Sequence, residues 1–239
     1  PISTPGRARR RAQNQVVSDP ALDMQAPGQR RLGRRIFLGL LGLGGLVAAG
    51  GSQAFGALGR LPVLKGLMPK DGFYYYTVSN VEPGFDGVNW TLVIDGLVER
   101  SVTLSFKDLL ALPQEDQVHD YMCVTGWSVK QVRWQGPLVS RLLDLAGPKP
   151  EARAVSFDSA DGVYVDSLTM DEALRPDVIM AHSLNGAPLE QDRGAALRLV
   201  VPFMFGYKGV KWVSHIRLTA SQEVGYWEQR GYDVDAYLK

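Results

Sequence analysis

The chain has 239 residues, of which 45% are apolar, and this length and composition suit one globular domain of ordinary size or two small ones. Its formal net charge of +1 conceals an asymmetry, because residues 1–35 hold eight arginines and two aspartates whereas residues 36–239 are net acidic. A basic tail ahead of an acidic body argues against a nucleic-acid-binding protein, whose positive charge lies on the folded domain.

An uncharged stretch rich in Leu, Gly and Ala follows this basic leader, from residue 36 to residue 58. About 20 apolar residues span a bilayer and about 7–15 form the core of a signal peptide, so the stretch is a signal core or a membrane anchor. Residues 34–38 (RRIFL) resemble a twin-arginine export signal, and an ordinary anchor preceded by positive charge is the alternative. Either reading predicts a periplasmic or other extracytoplasmic domain, exported by the twin-arginine machinery in the first case.

Residues 59–70 contain two prolines and two glycines and are predicted to be a linker, which leaves residues 71–239 as the folded domain. The aromatic and β-branched segment 73–78 is typical of a strand, and residues 90–96 end at an Asp-Gly turn signal that predicts a hairpin. Ser105 is the predicted N-cap of a short helix that ends before Pro113. A second helix is predicted from Leu138 to Leu145, before Gly147.

Further along the chain, strands are predicted at residues 154–157 and 163–165 around an Asp-Gly turn, followed by a helical turn at residues 171–174. Strands at 197–201 and 212–218 flank a Gly-rich loop, and residues 221–239 are predicted to be a strap over the core. Strands mixed with short helices, without long βαβ spacing, predict a mixed, sheet-rich α+β fold.

The chain contains no phosphate loop, dinucleotide fingerprint, zinc helix motif or nucleophile elbow. His215 alternates within an apolar strand and is predicted to be a wall residue rather than a ligand. His182 precedes an Asn-Gly turn, where a solvated loop position or a pocket role is open. His119 lies in a charged segment, interpreted as a loop, just before Cys123.

Cys123 is the only cysteine of the chain, which excludes an intramolecular disulfide. Its thiol could pack as a small apolar group, act as a nucleophile with His119 or His182, or bind a metal as a thiolate. The residues around it leave all three roles open.

Two segments of the sequence carry a family resemblance. The first runs from Cys123 through Trp127-Ser128 to residues 134–138 (WQGPL), and the second comprises residues 185–189 (NGAPL), 194–202 (GAALRLVVP) and 206–212 (GYKGVKW). Together they resemble the molybdopterin-binding domain of the sulfite oxidase family. The resemblance is to its bacterial branch, which includes the catalytic subunit of periplasmic methionine-sulfoxide reductase. It covers roughly residues 72–220 and implies a mixed α+β domain.

The resemblance implies a molybdenum-molybdopterin cofactor ligated by the Cys123 thiolate, a soft ligand suited to a metal already bound by sulfur. The anionic pterin tail needs donors and positive charge, and Lys208 in the Gly-rich loop is a further candidate. The implied cofactor contacts are Tyr75, Tyr76, Cys123, Ser159, Arg198, Gly209, Val210 and Lys211. The candidates for catalysis or substrate orientation are Cys123, Arg193, His182, His119, Lys130 and Arg133.

The activity implied is oxygen-atom transfer on a small sulfur-containing or other oxo-acceptor substrate, coupled to a redox partner such as a membrane haem protein or a cytochrome. Two departures leave substrate and direction open. Arg193 stands where the methionine-sulfoxide reductase branch has Asn, and Thr125-Gly126 replaces the Glu-Ala of that branch. The alternatives are a cysteine-nucleophile hydrolase, an anchored cofactor-free binding module, and a cofactor used only for electron transfer.

Overall fold

A computed structural model describes residues 72–74, 77–79 and 81–238. The basic leader, the apolar stretch, the linker and the pair Tyr75 and Tyr76 lie outside these residues. Within the described residues, no helix is long and apolar enough to cross a membrane.

Eleven strands and three α-helices make up the described fold. In chain order they are β1 (Thr91–Gly96), β2 (Val102–Ser105), α1 (Phe106–Ala111), β3 (Glu115–Met122), β4 (Ser128–Gly136), α2 (Val139–Ala146), β5 (Ala154–Ser159), β6 (Val165–Thr169), α3 (Met170–Ala173), β7 (Ile179–Ala181), β8 (Ser183–Leu184), β9 (Ala187–Pro188), β10 (Arg198–Val200) and β11 (Val213–Thr219). Short 3-10 turns lie at Gln191–Arg193, Gly206–Lys208 and Glu228–Arg230.

The strands form three sheets. The largest has the order β2-β1-β11-β5-β6, in which only β1 and β11 run parallel. A four-stranded antiparallel sheet has the order β3-β4-β8-β9, and β7 pairs with β10. The predicted sheet-rich α+β fold is confirmed.

The main core lies beneath the five-stranded sheet. Leu92 and Ile94 of β1, Phe157 of β5 and Ile216 of β11 are completely buried in it. Helix α2 covers this core with four buried apolar residues at helical spacing, Val139, Leu142, Leu143 and Ala146. Helix α1 begins as predicted, because the Ser105 side chain accepts from the Asp108 amide in a capping box.

The segment before Cys123 is a strand, so its interpretation as a loop was wrong. β3 and β4 form a long hairpin whose polar residues pair across the strands. Arg133 binds both carboxylate oxygens of Asp116, and Lys130 Nζ lies 2.8 Å from Asp120 Oδ2. These opposite charges stabilise neighbouring strands, and they give the segment the polar composition of a loop.

Two predicted strands differ from the structure. Residues 73, 74, 77 and 78 belong to no strand. The Phe73 ring is instead buried against the β3–β4 hairpin, and its centroid lies 5.1 Å from that of the Tyr121 ring. Strand β6 begins at Val165 rather than Val163. The reason is that Asp161 Oδ1 accepts from the amides of Val163 and Tyr164 and holds both residues in a turn.

The C-terminal segment packs along the domain as the predicted strap. The Tyr226 amide donates to the Val165 carbonyl at 2.9 Å, and the Leu238 amide donates to the Phe203 carbonyl at 2.9 Å. The strap therefore contacts both β6 and the segment that follows β10.

Candidate cofactor and active site

A cavity of about 220 Å³ opens between the β3–β4 turn, the end of β5, the loop after β10 and the C-terminal strap. Six of the residues predicted for the site line it: Cys123, Ser159, Arg193, Arg198, Gly209 and Lys211. They come from distant parts of the sequence, and only the fold brings them to one space.

Cys123 is the first residue of the turn that joins β3 to β4. Its amide donates to the Trp127 carbonyl at 2.9 Å, and its carbonyl accepts from the Gly126 amide at 3.0 Å. Gly126 has φ +94°, a conformation that other residues rarely adopt, so the tight turn depends on glycine here. The half-buried Cys123 thiol lies 3.2 Å from the Thr125 hydroxyl.

Arg198 forms the buried floor of the cavity. Its Nη1 donates to the Arg193 carbonyl at 3.1 Å and its Nη2 reaches the Gly209 carbonyl at 3.5 Å, while Nε is buried without a hydrogen-bond partner among the described residues. Burial lowers the pKa of Arg198. A buried guanidinium with an unused donor is poised to bind an anion.

Two further cations line the same cavity. Lys211 Nζ donates to the Asp192 carbonyl at 3.2 Å, and burial together with nearby Arg198 lowers the pKa of Lys211 to about 7. The Arg193 guanidinium lies 5.4 Å from the Phe73 ring. The Asp192 carboxylate lines the cavity beside them, with Oδ1 3.9 Å from Arg193 Nε.

Ser159 lies at the end of β5, on the cavity wall. Its hydroxyl accepts from the Asp161 amide at 3.2 Å, which begins the turn described above. Next to it, the Tyr164 hydroxyl donates to the Tyr207 carbonyl, and burial raises the pKa of Tyr164. Hydroxyl groups thus continue the polar side of the cavity beyond the cations.

Much of the remaining lining is aromatic, and most of it was not singled out from the sequence. These aromatic residues are Phe73, Tyr74, Tyr121, Tyr164, Tyr207, Trp212, Trp227 and Tyr232. The last two belong to the strap, which therefore forms a wall of the site. The density of aromatic residues in the strap was the available signal, but it did not indicate which way the rings face.

Lys208 does not face the cavity, so its prediction as an anion contact was wrong. Its side chain is completely buried, and Nζ lies 2.5 Å from both Asp166 Oδ1 and Glu228 Oε1. Burying an unpaired ammonium costs free energy because the group loses its hydration. The two carboxylates offset this cost.

Other predicted residues lie away from the cavity. The His182 ring bonds Gln114 Oε1 at 3.0 Å and packs edge-on against Phe106, and burial lowers the pKa of His182. Val210 is a buried core residue.

The polar candidates of the β3–β4 hairpin also lie away from the cavity. The His119 ring forms a hydrogen bond with Gln117, and Lys130 and Arg133 form the exposed ion pairs of the hairpin. His215 is half-buried between Asp95 and Asp158, at 2.7 and 3.3 Å.

The residues of the cavity fit a molybdopterin cofactor. The single Cys123 sulfur is a soft ligand suited to a metal that brings its own sulfur ligands, and the buried Arg198 donor with Lys211 suits a phosphate. Among the described residues, no three His, Cys, Asp or Glu side chains are grouped as a metal site. Any metal held here through Cys123 would take its remaining ligands from another molecule.

A sheet-rich α+β domain whose cavity gathers one thiol and three basic side chains is typical of a cofactor-binding enzyme domain. The chain belongs to the family described as the oxidoreductase molybdopterin binding domain, whose model matches residues 79–227. The predicted membership of the sulfite oxidase family is thereby confirmed, and the protein is a molybdopterin-type oxidoreductase.

Several relatives are similar to the chain. The uncharacterized oxidoreductase YuiH of Bacillus subtilis is 35% identical over 149 residues, 62% of this chain and 75% of YuiH. The protein-methionine-sulfoxide reductase catalytic subunit MsrP is 34% identical in Campylobacter jejuni, over 60% of this chain and 54% of the relative. MsrP of Gluconobacter oxydans is 32% identical, over 68% of this chain and 59% of that relative. The chain thus spans most of YuiH but little more than half of either MsrP.

Among solved structures, the chain is similar to the sulfane dehydrogenase SoxCD of Paracoccus pantotrophus. The TM-score is 0.55 at 26% identity, over 59% of this chain and 41% of that one. This likeness agrees with the family membership and with the sheet-rich fold.

Proposed function

We propose that the chain holds a molybdenum cofactor in this cavity with Cys123 as the protein ligand. The proposed reaction transfers an oxygen atom to or from a small sulfur-containing or other oxo-accepting substrate. The observation that carries the proposal is that Cys123 and three basic side chains line one cavity in a chain of the molybdopterin-binding family. The names of the MsrP and SoxCD relatives both specify sulfur chemistry, which supports a sulfur-containing substrate.

In this proposal the two ends of the cavity have different tasks. The Cys123 thiolate holds the metal at the β3–β4 turn. Arg198 and Lys211 bind the anionic tail of the pterin, with Ser159 and the Gly209 backbone beside them. The prediction that Tyr75, Tyr76 and Val210 also contact the cofactor stands as part of the proposal.

The molybdenum centre supplies the oxygen-atom chemistry when bound, and the protein supplies binding, orientation and charge. Trp227 and Tyr232 of the strap shape the space in which a substrate is held. Arg193 is the proposed group for orienting a substrate oxygen, since it lines the cavity and replaces an uncharged residue of the methionine-sulfoxide reductase branch. The contacts of His182 with Gln114 and Phe106 make a direct catalytic role for this residue less well supported.

The cysteine-nucleophile hydrolase is a weaker alternative. Such an enzyme needs a base within hydrogen-bond reach of the thiol, and no histidine is among the described residues that line the cavity. The Cys123 sulfur lies 3.2 Å from the Thr125 hydroxyl, while His119 and His182 contact glutamines.

Metal content separates these functions. Protein purified from a host that makes the pterin should contain close to one molybdenum per chain and release a fluorescent pterin after acid oxidation. A protein without molybdenum whose Cys123 reacts with an alkylating agent and hydrolyses esters would favour the hydrolase. A protein with neither metal nor hydrolase activity would favour an anchored binding module, and a loaded protein that turns over no oxo substrate would favour pure electron transfer.

We also propose the domain organisation and location inferred from the sequence. Residues 1–35 form a basic leader, 36–58 a signal core or anchor, 59–70 a linker and 71–239 the catalytic domain. The twin-arginine machinery exports the protein, and a membrane haem protein or a cytochrome exchanges electrons with it outside the cytoplasm. Replacing both Arg34 and Arg35 by Lys should retain the full chain in the cytoplasm, whereas unchanged export would exclude this route.

A further inference from the structure

The hydroxyl of Thr125 lies 3.2 Å from the sulfur of Cys123, and both residues line the cavity. We propose that Thr125 is a positioning residue that donates a hydrogen bond to the Cys123 sulfur and thereby raises the reduction potential of the metal bound there. This inference rests on the proposed function, because it requires Cys123 to be the metal ligand.

The backbone explains why the hydroxyl reaches the sulfur. Cys123 and Gly126 close a turn through the 3.0 Å bond from the Gly126 amide to the Cys123 carbonyl, and the Cys123 amide is bonded to the Trp127 carbonyl. These two bonds close the turn that brings the Thr125 side chain next to the Cys123 sulfur. The side chain of Thr125 is β-branched and has few rotamers, so little conformational entropy is lost when its hydroxyl faces the sulfur.

The direction of the hydrogen bond follows from the charge of the ligand. A free thiol can donate or accept, but a thiolate bound to a metal has no proton left to donate. The Thr125 hydroxyl must then be the donor. A donor withdraws electron density from the sulfur, and hydrogen bonds to ligand sulfurs are among the factors that set the potentials of metal–thiolate centres.

The test uses the full-length loaded protein in four forms: wild type, Thr125→Val, Thr125→Ser and Thr125→Ala. Valine keeps the shape of threonine and removes the hydroxyl, and serine keeps the hydroxyl. Thr103→Val is the matched control, because Thr103 is an exposed residue of β2 that does not line the cavity. Molybdenum content is measured first, followed by a redox titration of the Mo(V) electron paramagnetic resonance signal.

We expect all forms to retain molybdenum. Thr125→Val and Thr125→Ala should lower the midpoint potential, while Thr125→Ser and Thr103→Val should keep that of the wild type. Equal potentials in the wild type and the Val variant would overturn the inference, as would a Ser variant that shifts as far as Val. Loss of molybdenum from both Val and Ala would also overturn it, because the hydroxyl would then act on metal retention. A wild type without molybdenum would overturn the proposed function itself.

Discussion

The Lys208 ammonium lies 2.5 Å from Glu228 Oε1 inside the fold, and this ion pair joins the loop that follows β10 to the C-terminal strap. Each partner is next to residues of the cavity, since Tyr207 and Gly209 flank Lys208 and Trp227 precedes Glu228. Asp166 of β6 is the third member of this buried group, with Oδ1 2.5 Å from the Lys208 ammonium nitrogen. The ion pair therefore fixes the distance between two walls of the candidate site.

Replacing Lys208 by Met should destabilise the domain strongly. Removing the cation leaves two carboxylates buried without their counter-charge, and breaking a buried ion pair in this way costs about 3–5 kcal/mol. Urea unfolding of the full chain checks the loss in the free energy of unfolding. Lys149→Met is the control, because Lys149 is exposed, and its stability should be that of the wild type. A Lys208→Met variant as stable as this control would contradict the role of the pair.

The same group predicts a pH dependence of stability. Burial raises the pKa of Asp166 to about 7 even though Lys208 beside it favours the charged form. An unfolded Asp titrates near 4, so the folded protein binds the extra proton between about pH 4 and pH 7. The stabilising effect of this proton is complete below about pH 4 and is lost as the pH rises through 7.

The variant Asp166→Asn isolates that contribution, because an amide does not titrate. The difference in unfolding free energy between the wild type and this variant should shift against the wild type by a few kcal/mol from about pH 5 to about pH 8. Chemical denaturation at several pH values measures it. A difference that stays constant, or that shifts in favour of the wild type, would show that Asp166 is already ionised at low pH.

Lys211 predicts a pH dependence of cofactor retention. Because burial and nearby Arg198 lower the pKa of Lys211 to about 7, the side chain is neutral above this pH until an anion binds. Binding a phosphate then requires the uptake of a proton, and affinity should fall as the pH rises above about 7.

This dependence is measured as the fraction of cofactor retained after dilution and gel filtration at about pH 6.5 and pH 8.5. Lys211→Gln should retain less cofactor and should lose the dependence, whereas Lys149→Gln should behave like the wild type. If Lys211→Gln showed the wild-type dependence, another group would have to supply the proton.

Gly206 predicts a steric effect on the cavity. A Cβ atom at this position would lie 2.1 Å from the Tyr121 hydroxyl oxygen and 2.3 Å from the ring carbon that bears it. Tyr121 is packed against Phe73 and Trp127, at centroid distances of 5.1 and 5.5 Å, so its ring has little freedom to move away.

We expect Gly206→Ala to cost about 1–3 kcal/mol of stability and to reduce cofactor retention, since overpacking displaces a ring that lines the cavity. Gly84→Ala is the matched control, because no atom lies within 4 Å of a Cβ built there. Thermal unfolding and molybdenum content measure the two effects. Normal values of both in Gly206→Ala would mean that Tyr121 adapts without loss.

Much of the fold follows from local signals in the sequence. The Ser105 cap and the Leu-rich segment from Leu138 to Leu145 predicted two helices, and the structure contains both, the second at Val139–Ala146, because capping and side-chain spacing act within one or two turns. The β3 strand was missed because it is held by backbone pairing with β4, and its polar side chains, such as Asp116, find their partners on that second strand. Local composition carries no signal of such partners.

The candidate site could be predicted only where residue chemistry and family resemblance coincided. Cys123, Arg198 and Lys211 were predicted and line the cavity together. Lys208 resembled them in the sequence, and its burial between Asp166 and Glu228 became evident only when β6 and the strap were placed around it. A lysine in a Gly-rich loop has the same local pattern whether it faces a ligand or the core.

The coordination of molybdenum in Cys123→Ser tests the central claim most directly. X-ray absorption at the molybdenum edge should show one sulfur ligand fewer in this variant than in the wild type, with an oxygen or nitrogen in its place or with the metal lost. An unchanged number of sulfur ligands in a fully loaded Cys123→Ser protein would contradict the assignment of Cys123 as the ligand.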